Sequence, residues 1–223
     1  MQQEQKIKGF TILELLVVIT IVSIVSAIGY PRFNDWKTDR EVRQALERAA
    51  SMVTSIITHT QRGSYPYVQI DIRSSQTQTI FTTKGMSKNK FSNSLNQKDI
   101  SINCPITNQG ASYWDADPLE TATESVSSNA GSSAAICFSR EGSHYALVGN
   151  ELIKNNDTSN KMSLDGFMVS QYIIFCSKSL AAANNDMCPR ALGKDDKPAY
   201  LLEWSRFGNV VKYKWSGSAW NRQ

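Results

Sequence analysis

Residues 10 to 30 read Phe-Thr-Ile-Leu-Glu-Leu-Leu-Val-Val-Ile-Thr-Ile-Val-Ser-Ile-Val-Ser-Ala-Ile-Gly-Tyr, with Glu14 as the one charged side chain. About 20 apolar residues suffice for a helix to cross the hydrocarbon core of a bilayer, so this run predicts a membrane-spanning segment. Lys6 and Lys8 stand ahead of it, a basic flank that stays cytoplasmic while the rest of the chain is exported. The other polar positions are small hydroxyls: Thr11, Thr20, Ser23 and Ser26. The remainder of the chain has a different character. Over all 223 residues mean hydropathy is −0.34, the hydrophobic share 41% and the charged share 20%. These values exclude a wholly disordered chain, a collagen and a multi-span membrane protein. The net charge of +4, from 24 Lys and Arg against 20 Asp and Glu, permits contact with nucleic acid or anionic lipid without arguing for either.

Three kinds of segment share such an apolar run. One is a secretory signal peptide cut after Ala27, where Val25-Ser26-Ala27 places small residues before the bond. Another is a permanent signal anchor, and the third is cut ahead of the run. A carboxylate well inside a bilayer costs about 2.5–3.5 kcal/mol on insertion scales, and the first two have no use for Glu14. Lys6-Ile7-Lys8-Gly9-Phe10-Thr11-Ile12-Leu13-Glu14-Leu15 resembles the class III signal of type IV pilins and type II secretion pseudopilins.

That resemblance implies cleavage by prepilin peptidase after Gly9 and N-methylation of the new first residue, Phe10. The family's acidic residue matches Glu14, and its helix-bending proline matches Pro31. In the family the carboxylate meets the free amine of a neighbouring subunit. Two charges that are each costly in lipid become tolerable when paired. The implied route is single-pass insertion in the inner membrane with the head in the periplasm. Transfer through the inner-membrane assembly platform into a surface filament follows, so the implied partners are membrane lipid and other major and minor pilins.

After Pro31 the pattern becomes amphipathic. Val42, Ala45, Leu46, Ala49, Val53, Ile56 and Ile57 recur at the three- and four-residue spacing of one helix face. Gly63 is fit for a left-handed cap. One helix over residues 10–62 is expected, roughly 80 Å long at 1.5 Å per residue; two separate helices are the alternative. From residue 65 the period becomes two. Strands are predicted at Tyr67–Arg73, Thr77–Thr83, Asp99–Cys104, Ala134–Ser139, His144–Gly149, Phe167–Cys176, Tyr200–Ser205 and Asn209–Trp215. The polar stretches 107–133 and 181–197 read as surface loops. The expected fold class is α+β in the type IV pilin manner: a long amino-terminal helix packed on a mainly antiparallel β-sheet head. The divisions are a leader peptide (1–9), a hydrophobic transmembrane and assembly helix (10–30), its amphipathic continuation (31–62) and a periplasmic head (63–223).

Four cysteines, Cys104, Cys137, Cys176 and Cys188, lie in the exported part, where an even count favours disulfides. Three pairings are open. Cys104–Cys137 with Cys176–Cys188 is favoured, because each bridge closes a polar loop. No Cys-x-x-Cys spacing supports zinc.

Tyr200-Leu-Leu-Glu-Trp-Ser-Arg-Phe-Gly-Asn-Val-Val-Lys-Tyr-Lys-Trp215 resembles the closing hairpin of the GspH/FimT group, which implies a minor pilin near the filament tip. Such a subunit helps initiate or cap the filament and supports twitching motility and adhesion. A major pilin ending in a Cys176–Cys188 loop would leave a shorter tail than the 35 residues that follow Cys188. A type II secretion pseudopilin shares all of the amino-terminal logic. DNA capture for natural transformation is the further alternative. Arg206, Lys212, Lys214 and Arg222 interleave with Trp204, Tyr213, Trp215 and Trp220, the mixture that phosphate neutralisation and base stacking require. The family's Gly-Arg-x-Arg element is absent, however, since Gly208 is followed by Asn209, Val210 and Val211. In a strand, Lys212 and Lys214 would leave one face while Tyr213 and Trp215 leave the other. Asn156-Asp157-Thr158 matches a glycosylation acceptor and reads as an ordinary loop. His59 and His144 share no metal-type spacing, and no nucleophile motif or P-loop is present. The expectation is a non-enzyme without a cofactor.

Overall fold

The computed structural model describes residues 10–94, 114–115, 117–131, 134–140, 144–148, 151–154, 172–205 and 209–223. The chain divides into two compact units, Met1–Thr38 and Asp39–Gln223. Helix α1 (Ile12–Gln61) continues through Pro31 and contributes to both.

In the first unit α1 begins at a built cap. Thr11 precedes the first helical residue, and its Oγ1 accepts a hydrogen bond from the Glu14 amide at 3.2 Å. A Thr followed three residues later by Glu is the capping-box pattern. The Glu14 carboxylate stands in the first turn, where the exposed amides of a helix favour negative charge. Farther along, Thr20 and Ser23 return their hydroxyl hydrogens to the carbonyls of Leu16 and Ile19 at 2.8 and 2.7 Å. Those side chains need no outside partner.

In the second unit the helix turns amphipathic, and its apolar stripe is the centre of the core. Val42, Ala45, Leu46, Ala49, Val53, Ile56 and Ile57 are all buried, together with Ala50 and Met52. Each Val, Leu, Ile or Met side chain among them contributes about 1.5–3 kcal/mol when fully removed from water. The helix ends at Gly63, which holds φ +74°. The Gly63 amide bonds the Thr60 carbonyl and the Ser64 amide bonds the His59 carbonyl, both at 3.0 Å. This pair of bonds closes a Schellman cap.

The strands, in chain order, are β1 (Tyr67–Ser74), β2 (Thr79–Met86), β3 (Glu120–Glu124), β4 (Ser127–Ser128), β5 (Ala134–Ser139), β6 (His144–Val148), β7 (Glu151–Lys154), β8 (Tyr172–Cys176), β9 (Ala199–Trp204), β10 (Val210–Trp215) and β11 (Trp220–Arg222). Among the described residues two short helices, α2 (Lys88–Ser94) and α3 (Lys178–Ala182), accompany them. A six-stranded sheet runs β3-β2-β1-β5-β6-β7, and a five-stranded sheet runs β11-β10-β9-β8-β4. All pairs are antiparallel. The α+β fold, with an amino-terminal helix packed against antiparallel sheets, is the fold class expected from the sequence.

Period-two alternation decides what each face does. Val68, Ile70, Ile72, Phe81, Ile136 and Phe138 of the first sheet share one core with the α1 stripe. Ile173, Phe175, Tyr200, Leu202 and Trp204 of the second sheet join it. The opposite face of the second sheet carries Tyr172, Ile174, Cys176, Leu201 and Trp215, covered by Ala181 and Cys188. There Cys176 and Cys188 form a disulfide, with Cα atoms 5.7 Å apart. Cys137 is also disulfide-bonded; Cys104 and the predicted strand 99–104 lie outside the described residues.

The polar stretch 107–133 departs from the loop expectation. Within it β3 and β4 form, and Ser127 and Ser128 are fully buried. Hydroxyls make this tolerable by serving the backbone where the sheets meet. Thr79 Oγ1 donates to the Val126 carbonyl at 2.9 Å, Ser127 Oγ to the Gln76 carbonyl at 2.7 Å, and the Ser128 amide to Ser74 Oγ at 2.8 Å. Buried polar groups are affordable when paired in this way.

Candidate functional site

The amino-terminal segment of α1 presents its apolar side chains to the outside. Phe10 is 82% exposed, and Ile12, Leu13, Leu15, Leu16, Val17, Val18, Ile19, Ile21, Val22, Ile24 and Val25 are exposed as well. A helix that is apolar all round belongs in lipid or among other helices. The Glu14 carboxylate is the one charge between Ile12 and Ala27, and it has no ion-pair partner among the described residues. Among the described residues no helix is long and apolar enough to cross a membrane. Gly9 lies outside the described residues.

Residues 5–30 match the family model described as the prokaryotic N-terminal methylation motif. The chain carries that motif. Thr11 and Glu14, joined at the helix cap, both fall inside it. Thr11 is the residue that sequence reasoning passed over, although the Thr-x-x-Glu spacing ahead of an apolar run was there to be read. The chain is similar to a fimbrial protein of Moraxella nonliquefaciens, with 41% identity over 56 residues, 25% of this chain and 36% of the relative. A fimbrial protein of Pseudomonas aeruginosa is 33% identical over 22% of this chain and 31% of its own length. Fimbrial protein EcpB of Eikenella corrodens is 32% identical over 28% and 40%. The matches thus span between 31% and 40% of these relatives. No solved structure matches the chain.

Two of the basic residues near the carboxyl terminus pair with acids. Lys212 Nζ bonds Glu47 Oε2 at 2.7 Å, and Lys214 Nζ bonds Asp39 Oδ1 at 2.9 Å. Both acids belong to α1, so the lysines on one face of β10 close onto the helix. Asp39 Oδ1 also accepts a hydrogen bond from the Tyr200 hydroxyl at 3.0 Å, and the Lys214 ammonium stands 5.3 Å from the Tyr200 ring centre. Burial alone disfavours a charge on Lys214, but its hydrogen bonds with Asp39 and Tyr200 outweigh that and raise its pKa. Burial is also the chief cause that raises the Tyr200 phenol.

On the opposite face, the Tyr213 hydroxyl donates to Glu203 Oε2 at 3.0 Å and Trp215 Nε1 to the Gly193 carbonyl at 2.8 Å. Trp215 and Trp220 lie 5.3 Å apart, while Trp204 is buried against α1. Arg222 is exposed on β11, and Arg206 lies outside the described residues. Trp204 and Trp215 are therefore core, Tyr213 and Trp220 pack partly buried against it, and the two lysines are ion-paired. Among the described residues no group of three His, Cys, Asp or Glu could hold a metal ion.

Proposed function

We propose that this chain is a filament subunit of the type IV pilin family, made as a prepilin, cut after Gly9 and methylated on Phe10. The observation that carries the proposal is the exposed apolar helix with a lone carboxylate in its first turn, lying inside the methylation motif. Before assembly the run inserts as a single membrane span with the head in the periplasm, and lipid covers its side chains. In the filament, neighbouring helices replace the lipid, and Glu14 receives the methylated amine of another subunit. A carboxylate and an amine that are each costly in an apolar medium are retained only when paired, which sets axial register. The partners are other major and minor pilins, prepilin peptidase and the inner-membrane assembly platform.

Within that family we favour a minor, tip-proximal subunit that helps initiate or cap the pilus and so supports twitching motility and adhesion. Its support is the long tail beyond Cys188, which completes β9, β10 and β11, and the closing-hairpin resemblance. The type II secretion reading rests on the same amino terminus. DNA capture through Lys212 and Lys214 has little support, because both ammonium groups are held by α1 carboxylates.

The intact mass of the protein from its native membrane tests the core of the proposal. The expected species begins at N-methylated Phe10, whereas a chain beginning at Ile28 would overturn it. Glu14→Ala is expected to insert normally yet be lost from sheared filaments, as read by immunoblotting of membrane and filament fractions. Equal incorporation of variant and wild type would refute the pairing role.

A further inference from the structure

A concave site lies in the second unit, beside the carboxyl-terminal cap of α1. Tyr65, Tyr67, Lys88, Phe91, Ser139 and Arg140 line a half-open cavity of about 310 Å³, at the lower end of the range for small-molecule sites. Three separate parts of the chain build it: the segment after α1, the start of α2 and the end of β5. The wall is aromatic. Tyr67 and Phe91 stand 5.8 Å apart at a tilt of 39°, and Tyr65 is braced edge-on by His59 at 6.0 Å. Tyr65 packs against Gly85, where a Cβ would come within 2.5–2.8 Å of its ring. The rim carries positive charge. Lys88 and Arg140 are exposed, and neither has an ion-pair partner among the described residues. The Arg140 guanidinium passes over Gly63, about 3.8 Å from where a Cβ would be.

We propose that this cavity binds a carboxylated sugar ring, the terminal or internal unit of an acidic glycan. Flat aromatic faces accept the apolar face of a ring. The Tyr65 hydroxyl serves its hydroxyl groups as donor or acceptor, and two cations at the mouth hold its carboxylate by charge-assisted hydrogen bonds. Charge complementarity favours an anion over a neutral sugar. The small volume favours a single ring over a polynucleotide, which needs cations along a track and successive stacking platforms. The inference stands whether or not the chain joins a filament.

The test uses the full chain in detergent micelles with D-glucuronate, methyl glucoside, inorganic phosphate and an oligothymidylate as probes, read by ligand-observed NMR titration. Glucuronate is expected to bind at least tenfold more tightly than methyl glucoside or phosphate. The double variant Lys88→Gln, Arg140→Gln is expected to weaken glucuronate at least tenfold with an unchanged circular dichroism spectrum, and Lys178→Gln to leave it unaltered. Gly85→Ala, which pushes on Tyr65 without removing any ligand-contacting group, is expected to weaken binding as well. Absence of glucuronate binding would overturn the proposal, as would equal binding of phosphate. Tighter binding of oligothymidylate that is lost in the double variant would reassign the cavity to nucleic acid and overturn it too.

Discussion

Asp39 is the residue on which the α1–β10 contact most depends, and Asp39→Ala gives a sharp test of the packing described above. Its Oδ1 accepts from both Tyr200 Oη at 3.0 Å and Lys214 Nζ at 2.9 Å. Truncation strands a hydroxyl on a side chain that is only 1% exposed; an unpaired buried donor costs about 1–3 kcal/mol. The ion pair itself adds little, since Lys214 and Asp39 are 41% and 35% exposed, and such pairs contribute about 0.2–1 kcal/mol. Water that reaches the exposed acid can also reach the hydroxyl end of Tyr200, which favours the lower half of the first range. The expected loss is therefore about 1.5 kcal/mol. Glu47→Ala is the control: it breaks the Lys212 pair at 2.7 Å, with side chains 32% and 47% exposed, and strands no buried group. Its expected cost is below about 0.5 kcal/mol. Urea unfolding of the full chain in micelles, followed by tryptophan fluorescence, measures both. Asp39→Asn and Tyr200→Phe complete a double-mutant cycle, with coupling of about 0.5–1 kcal/mol expected. Equal costs for the two alanine variants, or strict additivity in the cycle, would refute the argument.

Gly63→Ala should cost about 1–2 kcal/mol, because φ +74° forces a Cβ into the left-handed region; a thermal scan would read it, and an unchanged midpoint would count against the cap. Replacing Cys176 and Cys188 together by Ser should cost about 3 kcal/mol, from the closure entropy of a loop with sequence separation 12, measured by urea unfolding under non-reducing conditions. Stability should also fall at alkaline pH. Tyr200 and Tyr213 have pKa values raised above the ordinary 10.0, burial being the first cause for each, and Lys214 is raised above 10.5 by its hydrogen bonds against the effect of burial. All three hold their protons longer folded than unfolded. Their contribution is therefore fully present below about pH 10 and is lost as pH rises through the elevated values. A stability that is flat between pH 9 and 11 would contradict this.

Much of the molecule was legible in one dimension because its signals are local. The apolar run, the lone Glu14, the 3.6-residue stripe from Val42 to Ile57 and the glycine stop at Gly63 are properties of neighbouring residues, and helix geometry turns them directly into a face and an end. The alternation of Val68, Ile70 and Ile72 with polar residues along β1 works in the same way. Ser/Thr-rich 120–128 did not read as strand, because hydroxyl side chains carry no apolar pattern. They became buried only when partners such as Gln76 and Ser74 came within reach.

The role of the carboxyl-terminal lysines was likewise invisible. Lys212 and Lys214 look like free cations until β10 is set beside α1, where acids 165 and 175 residues away neutralise them. The cavity beneath Lys88 and Arg140 is of the same kind, since no window of sequence contains Tyr65, Phe91 and Arg140 together. What the sequence by itself determined is the long helix, its apolar start and the charge within it, because these follow from residues a few positions apart. Which charges are neutralised, which hydroxyls are buried and where a ligand-sized hollow opens were decided only by the tertiary structure, because burial and pairing are properties of surfaces that distant parts of the chain make together.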